Sequence, residues 1–556
     1  MRLQPRRFRR RDGQARASDK LNPVDDASKI EEIIDHLDAT EFQRLTQHIH
    51  QIEAKRWHEQ LPAPGSLSRI SLALYLSLVL ALFLWCGSSK ASFQFDADDL
   101  MNLHQSFVVK PSTLLAAAVL PFSTFNRPIG TLYYRLCFSV FGWNPAAFRI
   151  VTYAIMTANF LLVWLLARRL TGSMETGGAA ALLYSFHARL LPLYSSNGTV
   201  YDVLCAFFLL LTLLYYMSVR QRGLSWQWSR VTTVLALYIA ALNSKEIAAV
   251  IPALILIFEY LYFRSHRHEK FLRKALFGLA LAALTAIALW AKMRAGGPFH
   301  EDSSYAVSFT IKRFFQNERS LISQLFYLPE RYLSTRQVIA IWVSLFVIPI
   351  RMNTTHRRAL WFSAAFAMLA PLPMIFLPAR SFYVMYIPLM GWAIYAAILL
   401  VLCRNWIVRE FRRLRPMGVR GWKAAHAALA LATSFAVLQG TREADYNLPH
   451  IDPTRTAIAG TAKDFLTLRE PLPERSRTIL LHSRFPDDAW GPLMLARLLY
   501  RDPNLWIDRP TIPLKNIPTD AQLAQYDRVF DFDGRRLIVL SRRPPGEPAR
   551  TMLVPH

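Results

Sequence analysis

Three carboxylates lie close together where the chain leaves a long apolar run. The segment FQFDADDLMNLHQ, residues 93–105, carries them as Asp96, Asp98 and Asp99. An ionised carboxylate near neutral pH accepts a proton from a hydroxyl or an amine, which is the task of a general base. The same spacing also fits a capping box, with Asp96 as the N-cap of a helix and Asp99 as its third residue. The residues alone leave both interpretations open.

Other charged residues stand at the ends of apolar segments rather than in their centres. Arginine and lysine can hold a phosphate and stabilise the negative charge of a leaving group. Each such residue, taken singly, is also typical of an interfacial side chain that reaches headgroup water. A shared site is predicted because several separate loops carry these charges at one depth. The residues are Arg127, Arg149, Asp202, Lys245, Glu246 and Arg380.

The elements that position these residues are predicted to be membrane helices. The 556 residues are 53% hydrophobic, and apolar windows of about 20 residues recur along the chain. The net charge of +26 would suit nucleic acid, but the basic residues concentrate in short loops between apolar segments. We therefore predict an α-helical polytopic membrane protein whose partner is the lipid bilayer and not nucleic acid.

Hydropathy predicts about eleven transmembrane helices within residues 67–440. If the N-terminus is cytoplasmic, every inner loop is rich in Lys or Arg, as the positive-inside rule requires. Two long loops, 87–145 and 292–335, then lie on the outer face together with all the charged residues named above. The predicted helices begin near residues 67, 146, 176, 199, 230, 247, 273, 336, 359, 382 and 422.

Both ends of the chain differ from this hydrophobic region. Residues 1–66 are predicted to form a basic cytoplasmic extension with an amphipathic helix, because apolar residues from Ile30 to Ile52 follow helical spacing. Residues 441–556 are predicted to form a small extramembrane α/β domain. Its signals are TILLHS, the amphipathic AWGPLMLARLLY, and RVFDFDGRRLIVL, in which Asp533 and Gly534 indicate a hairpin turn.

The four cysteines fall in or beside apolar segments and lack the close spacing of a zinc site or a disulfide framework. We interpret them as packing residues, and no dedicated metal-ligand cluster is visible in the sequence. They are Cys86, Cys137, Cys205 and Cys403.

The order of these features resembles the integral-membrane glycosyltransferases of the GT-C superfamily. The resemblance covers roughly residues 67–400 and is nearest to polyprenyl- and dolichyl-phosphate-sugar-dependent transferases such as the protein O-mannosyltransferases. Matching elements follow one another along the chain: DADDL in the first outer loop, the stretch from NRPIG into the second span, YSSNGTVYD, NSKEIAAVIP, SLISQLFYLPERYL and RSFYVMYIPLMGWAIY.

The resemblance implies transfer of a sugar from a polyprenyl-phosphate donor to a glycan, lipid or protein acceptor on the outer face. It implies that Asp98 or Asp99 is the catalytic base. We favour Asp99 slightly, because Asp96 and Asp99 share a helix face, which would let Asp96 cap the helix and orient Asp99. Lys245 and Arg380 would bind the donor phosphate, with Arg127 and Arg149 as further candidates. Glu246 would hold Lys245 or an acceptor group, and further supporting roles fall to Asp202 and Tyr383. No cofactor is required, although a divalent metal stays an open alternative.

The chain also departs from the family pattern. Relatives often carry histidines near Phe148, Arg149, Met156 and Thr157, and an acidic residue where Ala379 precedes Arg380. Two other functions are therefore kept: a transporter or flippase for a lipid-linked or small polar substrate, and an inactive assembly protein of the same fold. The expected location is a bacterial inner membrane, with the N-terminus cytoplasmic and the C-terminus periplasmic.

Overall fold

The computed structural model describes residues 66–88, 90–120, 125–263, 271–294, 307–378, 382–414, 419–446 and 453–468, and then 472, 474–482, 484–485, 490–509, 519–533 and 535–542. The amphipathic helix predicted within residues 1–66 lies outside these ranges, and so does Arg380. The described residues of Gln60–Val219 and Trp226–His556 form one compact unit, and Arg220–Ser225 belong to another.

The described part of the chain is mainly helical. Its α-helices are α1 (Ser66–Ser88), α2 (Ala97–Val108), α3 (Pro111–Val119), α4 (Pro128–Phe141), α5 (Pro145–Thr171), α6 (Met174–Ser185), α7 (Pro192–Ser195), α8 (Val200–Gln221), α9 (Trp228–Ser244), α10 (Ile251–Phe263), α11 (Phe271–Arg294), α12 (Ile311–Leu325), α13 (Thr335–Val347), α14 (Thr354–Leu369), α15 (Leu372–Ile375), α16 (Pro388–Leu414), α17 (Val419–Tyr446), α18 (Pro453–Thr467), α19 (Gly491–Leu499) and α20 (Asp520–Leu523).

Five helical stretches among the described residues are long and apolar enough to cross a membrane. Three shorter apolar stretches accompany them, at Ala73–Trp85, Leu276–Ala291 and Lys423–Val437. A helix overlaps each of the eleven predicted apolar segments, but the number of spans stays a prediction. Helices suit these sequences because lipid offers no partner for backbone N–H and C=O groups. The five stretches are Pro145–Thr171, Asn197–Gln221, Glu246–Phe263, Thr354–Ile375 and Pro388–Phe411.

The short helix α6 lies at the centre of the bundle, packed against α1, α5 and α16. Its sequence METGGAAALLYS is dominated by small residues, and most of its side chains are buried. Small residues let neighbouring helix backbones approach closely, which is how helices associate inside a membrane. This composition explains why a helix too short to span a bilayer occupies the core.

The C-terminal region contains a four-stranded sheet of order β2-β1-β3-β4. Its strands are β1 (Arg477–Leu480), β2 (Trp506–Asp508), β3 (Arg528–Phe532) and β4 (Leu537–Arg542). Strand β1 pairs in parallel with β2 and β3, whereas β3 and β4 are antiparallel, as the predicted hairpin requires. Within the amphipathic segment AWGPLMLARLLY, Gly491–Leu499 form α19.

The C-terminal elements and the segment after α1 share one hydrophobic core. Side chains of α2 and α4 pack there with side chains of α18, α19 and the sheet. A continuous apolar contact of this kind resists separation of the two regions, since opening it would expose the buried surface to water. The core includes Phe95, Leu100, Leu103, Tyr134, Phe148, Ala457, Ile458, Phe465, Leu493, Ala496 and Phe530.

The cysteines only partly follow the sequence interpretation. Cys137 and Cys205 are buried, as packing residues should be, but Cys403 is exposed on α16. The prediction for Cys403 is wrong because its position falls on the outer surface of that helix. The side chain of Cys86 lies outside the described residues.

Candidate functional site

The start of α2 is a complete capping box, as the spacing of its acids predicts. Asp96 is the N-cap, and its Oδ1 accepts a hydrogen bond from the Asp99 backbone N–H at 2.9 Å. In return, Asp99 Oδ2 accepts from the Asp96 backbone N–H at 3.2 Å. The far end of α2 is also held, because Arg135 donates to the carbonyls of Ser106 and Val109 at 2.7 Å each. Both ends of α2, the acidic helix, are therefore fixed.

Asp99 and Asp98 lie in opposite environments although they are adjacent in sequence. Asp99 is fully buried at 0% exposure, and its Oδ1 accepts from the Tyr134 hydroxyl at 2.8 Å. Burial, followed by repulsion from Asp96, raises the pKa of Asp99 to about 8. Asp98 is exposed, and its pKa is raised by partial loss of solvent and then by Asp96.

The two candidate bases, Asp98 and Asp99, differ in their accessibility. Both oxygens of the buried Asp99 carboxyl already accept hydrogen bonds, Oδ1 from the Tyr134 hydroxyl and Oδ2 from the Asp96 backbone N–H. The side chain of Asp98 is the one that solvent reaches. Asp98 is therefore the better candidate base, and Asp99 holds the helix in place.

The short loop before α8 lies directly against Asp98. A Cβ added to Gly198 would be 3.0 Å from the Asp98 Cβ, so glycine permits the close approach. The preceding Asn197 is fully buried, and neither polar atom of its carboxamide has a partner among the described residues. Buried polar groups are nearly always paired, so the unpaired carboxamide makes Asn197 a candidate site residue. In the sequence, only the family resemblance of the segment YSSNGTVYD pointed to this loop.

Arg149 lies in a buried environment lined by backbone carbonyls. It is 1% exposed, and its guanidinium donates to backbone carbonyls on both sides. The partners before α2 are the carbonyls of residues 90, 91, 93 and 94, and the partner before α8 is Ser195 O at 2.9 Å. Its Nη1 and Nη2 thus donate to carbonyl oxygens, while the buried Nε has no partner among the described residues, and the phosphate-binding role expected for Arg149 stays a prediction. Arg149 also fixes the loop that leads into the acidic helix.

Tyr201 connects the acidic helix to the cationic part of the site. Its hydroxyl donates to Asn102 Oδ1 on α2 at 2.8 Å, and the Arg127 guanidinium lies 5.8 Å from its ring centroid. The ring lies so close to α4 that a Cβ on Gly130 would fall 2.1 Å from Tyr201 Cε1. The element NRPIG therefore needs its glycine to let Tyr201 pack between α2 and Arg127.

Two ion pairs follow Tyr201, and neither joins Lys245 to its sequence neighbour Glu246. Arg127 pairs with Glu246, with Nη2 and Oε2 2.9 Å apart. Lys245 pairs instead with Asp202, with Nζ 2.7 Å from both carboxylate oxygens. Adjacent residues in Lys245 and Glu246 therefore bind different partners, since the chain leaves α9 at this point and enters a 3₁₀ turn at Glu246.

Accessibility separates the two cations. The Arg127 side chain is 20% exposed, whereas that of Lys245 is 5% exposed. The Lys245 ammonium also lies 5.2 Å from the ring centroid of Tyr383, which favours a cation–π interaction. Arg380 itself lies outside the described residues.

A second group of aromatic residues connects His187, which follows α6, with the end of α12 and with the turn that carries Tyr383. His187 stacks on Tyr327, with centroids 4.6 Å apart, and on Phe382 at 4.7 Å. Its Nε2 lies 3.1 Å from Leu325 O, and burial lowers the pKa of His187 to about 4. The neutral imidazole thus links the end of α12 to the turn that carries Tyr383. The sequence analysis did not identify His187.

The described residues contain no group of three or more His, Cys, Asp or Glu side chains placed to hold a metal ion. The acidic side chains of the site instead contact a helix start, an arginine or a lysine.

Comparison with known proteins gives a partial family match. Residues 126–291 match the sequence model of a family described as dolichyl-phosphate-mannose-protein mannosyltransferase. This range confirms the resemblance expected from the sequence and contains both ion pairs, but it excludes the acidic helix and covers less than half of the chain. No curated protein sequence matched the chain.

Solved structures of membrane glycosyltransferases are similar at low identity. An Archaeoglobus fulgidus oligosaccharyltransferase, AglB, in complex with an inhibitory peptide and a dolichol-phosphate has 10% identity and a TM-score of 0.46, covering 79% of this chain and 64% of its own. The same organism's enzyme tethered to an acceptor peptide has 11% identity and a TM-score of 0.45, covering 80% and 64%. ArnT from Cupriavidus metallidurans bound to undecaprenyl phosphate has 12% identity and a TM-score of 0.39, covering 80% and 86%. This chain thus spans less than two thirds of the oligosaccharyltransferase.

Proposed function

We propose that this chain is a membrane glycosyltransferase that moves a sugar from a polyprenyl-phosphate-linked donor to an acceptor on the outer face of the membrane. In this proposal Asp98 is the general base, and Arg127 and Lys245 stabilise the donor phosphate. Arg380 is retained as a further phosphate ligand on the family resemblance alone. The sugar is a hexose or a pentose, and the acceptor is a glycan, a lipid or a protein.

The observation that supports this function best is a polar path that joins helix α2, which carries Asp98, to the ion pair of Arg127 with Glu246. From the acidic helix the path runs through the hydrogen bond of Asn102 to Tyr201 and the stacking of Arg127 on the same ring. It continues through the contact of Arg127 with Glu246, which is adjacent in sequence to Lys245. A carboxylate at one end and cations at the other match the two charges that a glycosyl transfer develops.

The chemistry follows from that polarity. As the acceptor oxygen or nitrogen attacks the anomeric carbon, its proton passes to the Asp98 carboxylate. The bond between the anomeric carbon and the phosphate oxygen breaks, and the electron pair leaves with the polyprenyl phosphate. Arg127 and Lys245 favour this step because the leaving phosphate gains negative charge near them. The leaving phosphate needs no strong acid, so the described residues suffice for the proposed reaction.

The membrane arrangement proposed for the reaction rests on the distribution of charge. The loops ARRLTG, RMNTTHRR and RNWIVREFRRLRPMGVRGWK are basic, which favours a cytoplasmic position for them. The acidic helix and the C-terminal elements then lie on the opposite, outer side. In a bacterial inner membrane that side is the periplasm.

The test is a transfer assay with purified protein in lipid nanodiscs and a set of polyprenyl-phosphate sugars. We expect one donor to yield both a glycosylated acceptor and free polyprenyl phosphate in equal amounts. The same protein in sealed vesicles distinguishes a transporter. Accumulation of an intact substrate, without release of polyprenyl phosphate from any donor, would contradict the proposed function.

A further inference from the structure

Arg455 belongs to the C-terminal helix α18, yet its guanidinium reaches the start of the acidic helix. Its Nη1 donates to Ser195 O at 2.7 Å, and its Nη2 donates to Asp96 Oδ2 at 3.1 Å. The guanidinium also lies 5.5 Å from the ring centroid of Phe93. One side chain thus contacts both loops that flank Asp98, the one before α2 and the one before α8.

The Ser195 carbonyl accepts from two guanidiniums at once. Arg149 Nη2 is 2.9 Å from this oxygen, and Arg455 Nη1 is 2.7 Å from it. Arg149 comes from the membrane helix α5, whereas Arg455 comes from the C-terminal region. Since charge-assisted hydrogen bonds are stronger than neutral ones, this pair of arginines fixes the position of the loop that carries Gly198.

The contact of Arg455 lies beside an extended apolar contact between the same elements. Ile458 of α18 and Leu493 and Ala496 of α19 share a core with Leu100 and Leu103 of α2. Arg497 of α19 also approaches His104 of α2, with Nη1 and Nε2 3.4 Å apart. The acidic helix is therefore covered by the C-terminal elements along its length and not only at its start.

We propose that Arg455 is a positioning residue for Asp98, and that the C-terminal elements thereby complete the catalytic site. This inference rests on the proposed function. Arg455 does not touch the reacting atoms. It holds Asp96 against the helix start and holds the glycine loop against Asp98, so that the carboxylate of Asp98 points toward the acceptor.

The charge of Arg455 has a second consequence for Asp98. Asp96 repels negative charge on Asp98 and raises the pKa of Asp98. The cation on Asp96 Oδ2 offsets part of that repulsion, so removing it should raise the pKa of Asp98 further. The charged and titratable groups that surround this helix start are Asp96, Asp98, Asp99, Tyr134, Arg149, Tyr201 and Arg455.

The experiment compares Arg455→Ala and Arg455→Lys with wild-type protein in the transfer assay across pH. We expect Arg455→Ala to lower kcat/KM about ten-fold and to move the acidic limb of the pH profile upward by roughly half to one unit, since one unit is ten-fold in protonation. Arg455→Lys should restore the position of the acidic limb in part, because the charge is kept. Lys463→Ala is the matched control, since Lys463 is an exposed cation of the same helix.

Hydrogen–deuterium exchange of the same proteins gives a readout that does not need activity. We expect Arg455→Ala to speed exchange about ten-fold or more in the peptides that cover residues 93–100 and 195–200, and Lys463→Ala to leave them unchanged. If no donor is turned over by wild-type protein, the proposed function fails while this exchange result still stands. An active Arg455→Ala variant with an unshifted pH profile and unchanged exchange would overturn the positioning role.

Discussion

At the residue scale, neighbouring acids take separate roles because their exposure and partners differ. Asp96 caps the helix and contacts Arg455, and Asp99 is fully buried against Tyr134. Asp98 alone among the three is exposed to solvent. A general base must reach the bound acceptor to take its proton. Exposure therefore decides which of these carboxylates can act as the base.

Asp99 makes the pH dependence of stability testable. Its pKa of about 8 lies above the value of a carboxyl in the unfolded chain, so between about pH 4 and 8 the folded protein holds a proton that the unfolded protein has lost. Stability from this group is therefore full at low pH and falls as pH rises through that window, by up to about 1.4 kcal/mol per unit. Thermal unfolding of wild type and Asp99→Asn from pH 5 to 8 checks this. The variant should show the weaker pH dependence, and equal slopes would contradict the prediction.

Substitution of Asn197 should affect stability and activity differently. An unpaired buried carboxamide costs about 1–3 kcal/mol, so Asn197→Ala is expected to keep or raise the melting temperature. If the carboxamide is reserved for a ligand, the same variant lowers kcat about ten-fold or more. Asn243→Ala is the matched control, because Asn243 Nδ2 already donates to the carbonyls of Ala117, Ala118 and Leu120.

The Asn243→Ala control should lose stability, since loss of the carboxamide leaves the carbonyls of Ala117, Ala118 and Leu120 without their donor. An Asn197→Ala protein that unfolds earlier and transfers sugar at the wild-type rate would contradict a ligand role for Asn197. Melting curves in detergent and steady-state transfer rates together give the answer.

At the scale of elements, the site is assembled where the ends of several helices meet. Helix α2 supplies Asp98, the start of α4 supplies Arg127, and the start of α8 supplies Asp202. The turn between α9 and α10 supplies Lys245 and Glu246. Sequence patterns locate each of these ends well, because caps, prolines and apolar runs are local signals. They cannot show that Lys245 binds Asp202 while Glu246 binds Arg127, since that pairing depends on packing between distant segments.

The pair of Lys245 and Asp202 can be tested for a role beyond structure. Lys245→Met leaves the Asp202 carboxylate buried and unpaired, which should destabilise the protein by about 3–5 kcal/mol. The double variant Lys245→Met with Asp202→Asn removes the unpaired charge and should regain most of that stability. Polyprenyl-phosphate affinity should stay weak in both proteins if Lys245 contacts the phosphate. Wild-type polyprenyl-phosphate affinity in the double variant would show that Lys245 only pairs with Asp202 and does not contact the phosphate.

At the scale of the whole molecule, the C-terminal elements share a hydrophobic core with the acidic helix. The sequence predicted the helical membrane region and the elements of the C-terminal region, since hydropathy and turn residues are strong signals. It treated the C-terminal region as a separate domain and so did not anticipate the core shared with α2 or the contact of Arg455 with Asp96. Burial of Arg149 by backbone carbonyls was likewise hidden, because a sequence does not show where an arginine side chain ends.

The central claim is that Asp98, and not its buried neighbour, takes the proton from the acceptor. The most direct measurement compares the single-turnover transfer rates of Asp98→Asn and Asp99→Asn with wild type, at saturating donor and at matched polyprenyl-phosphate affinity. We predict a fall of at least about 100-fold for Asp98→Asn, the usual contribution of a general base, and a fall of less than about ten-fold for Asp99→Asn. Transfer by Asp98→Asn at a rate close to wild type would contradict the account.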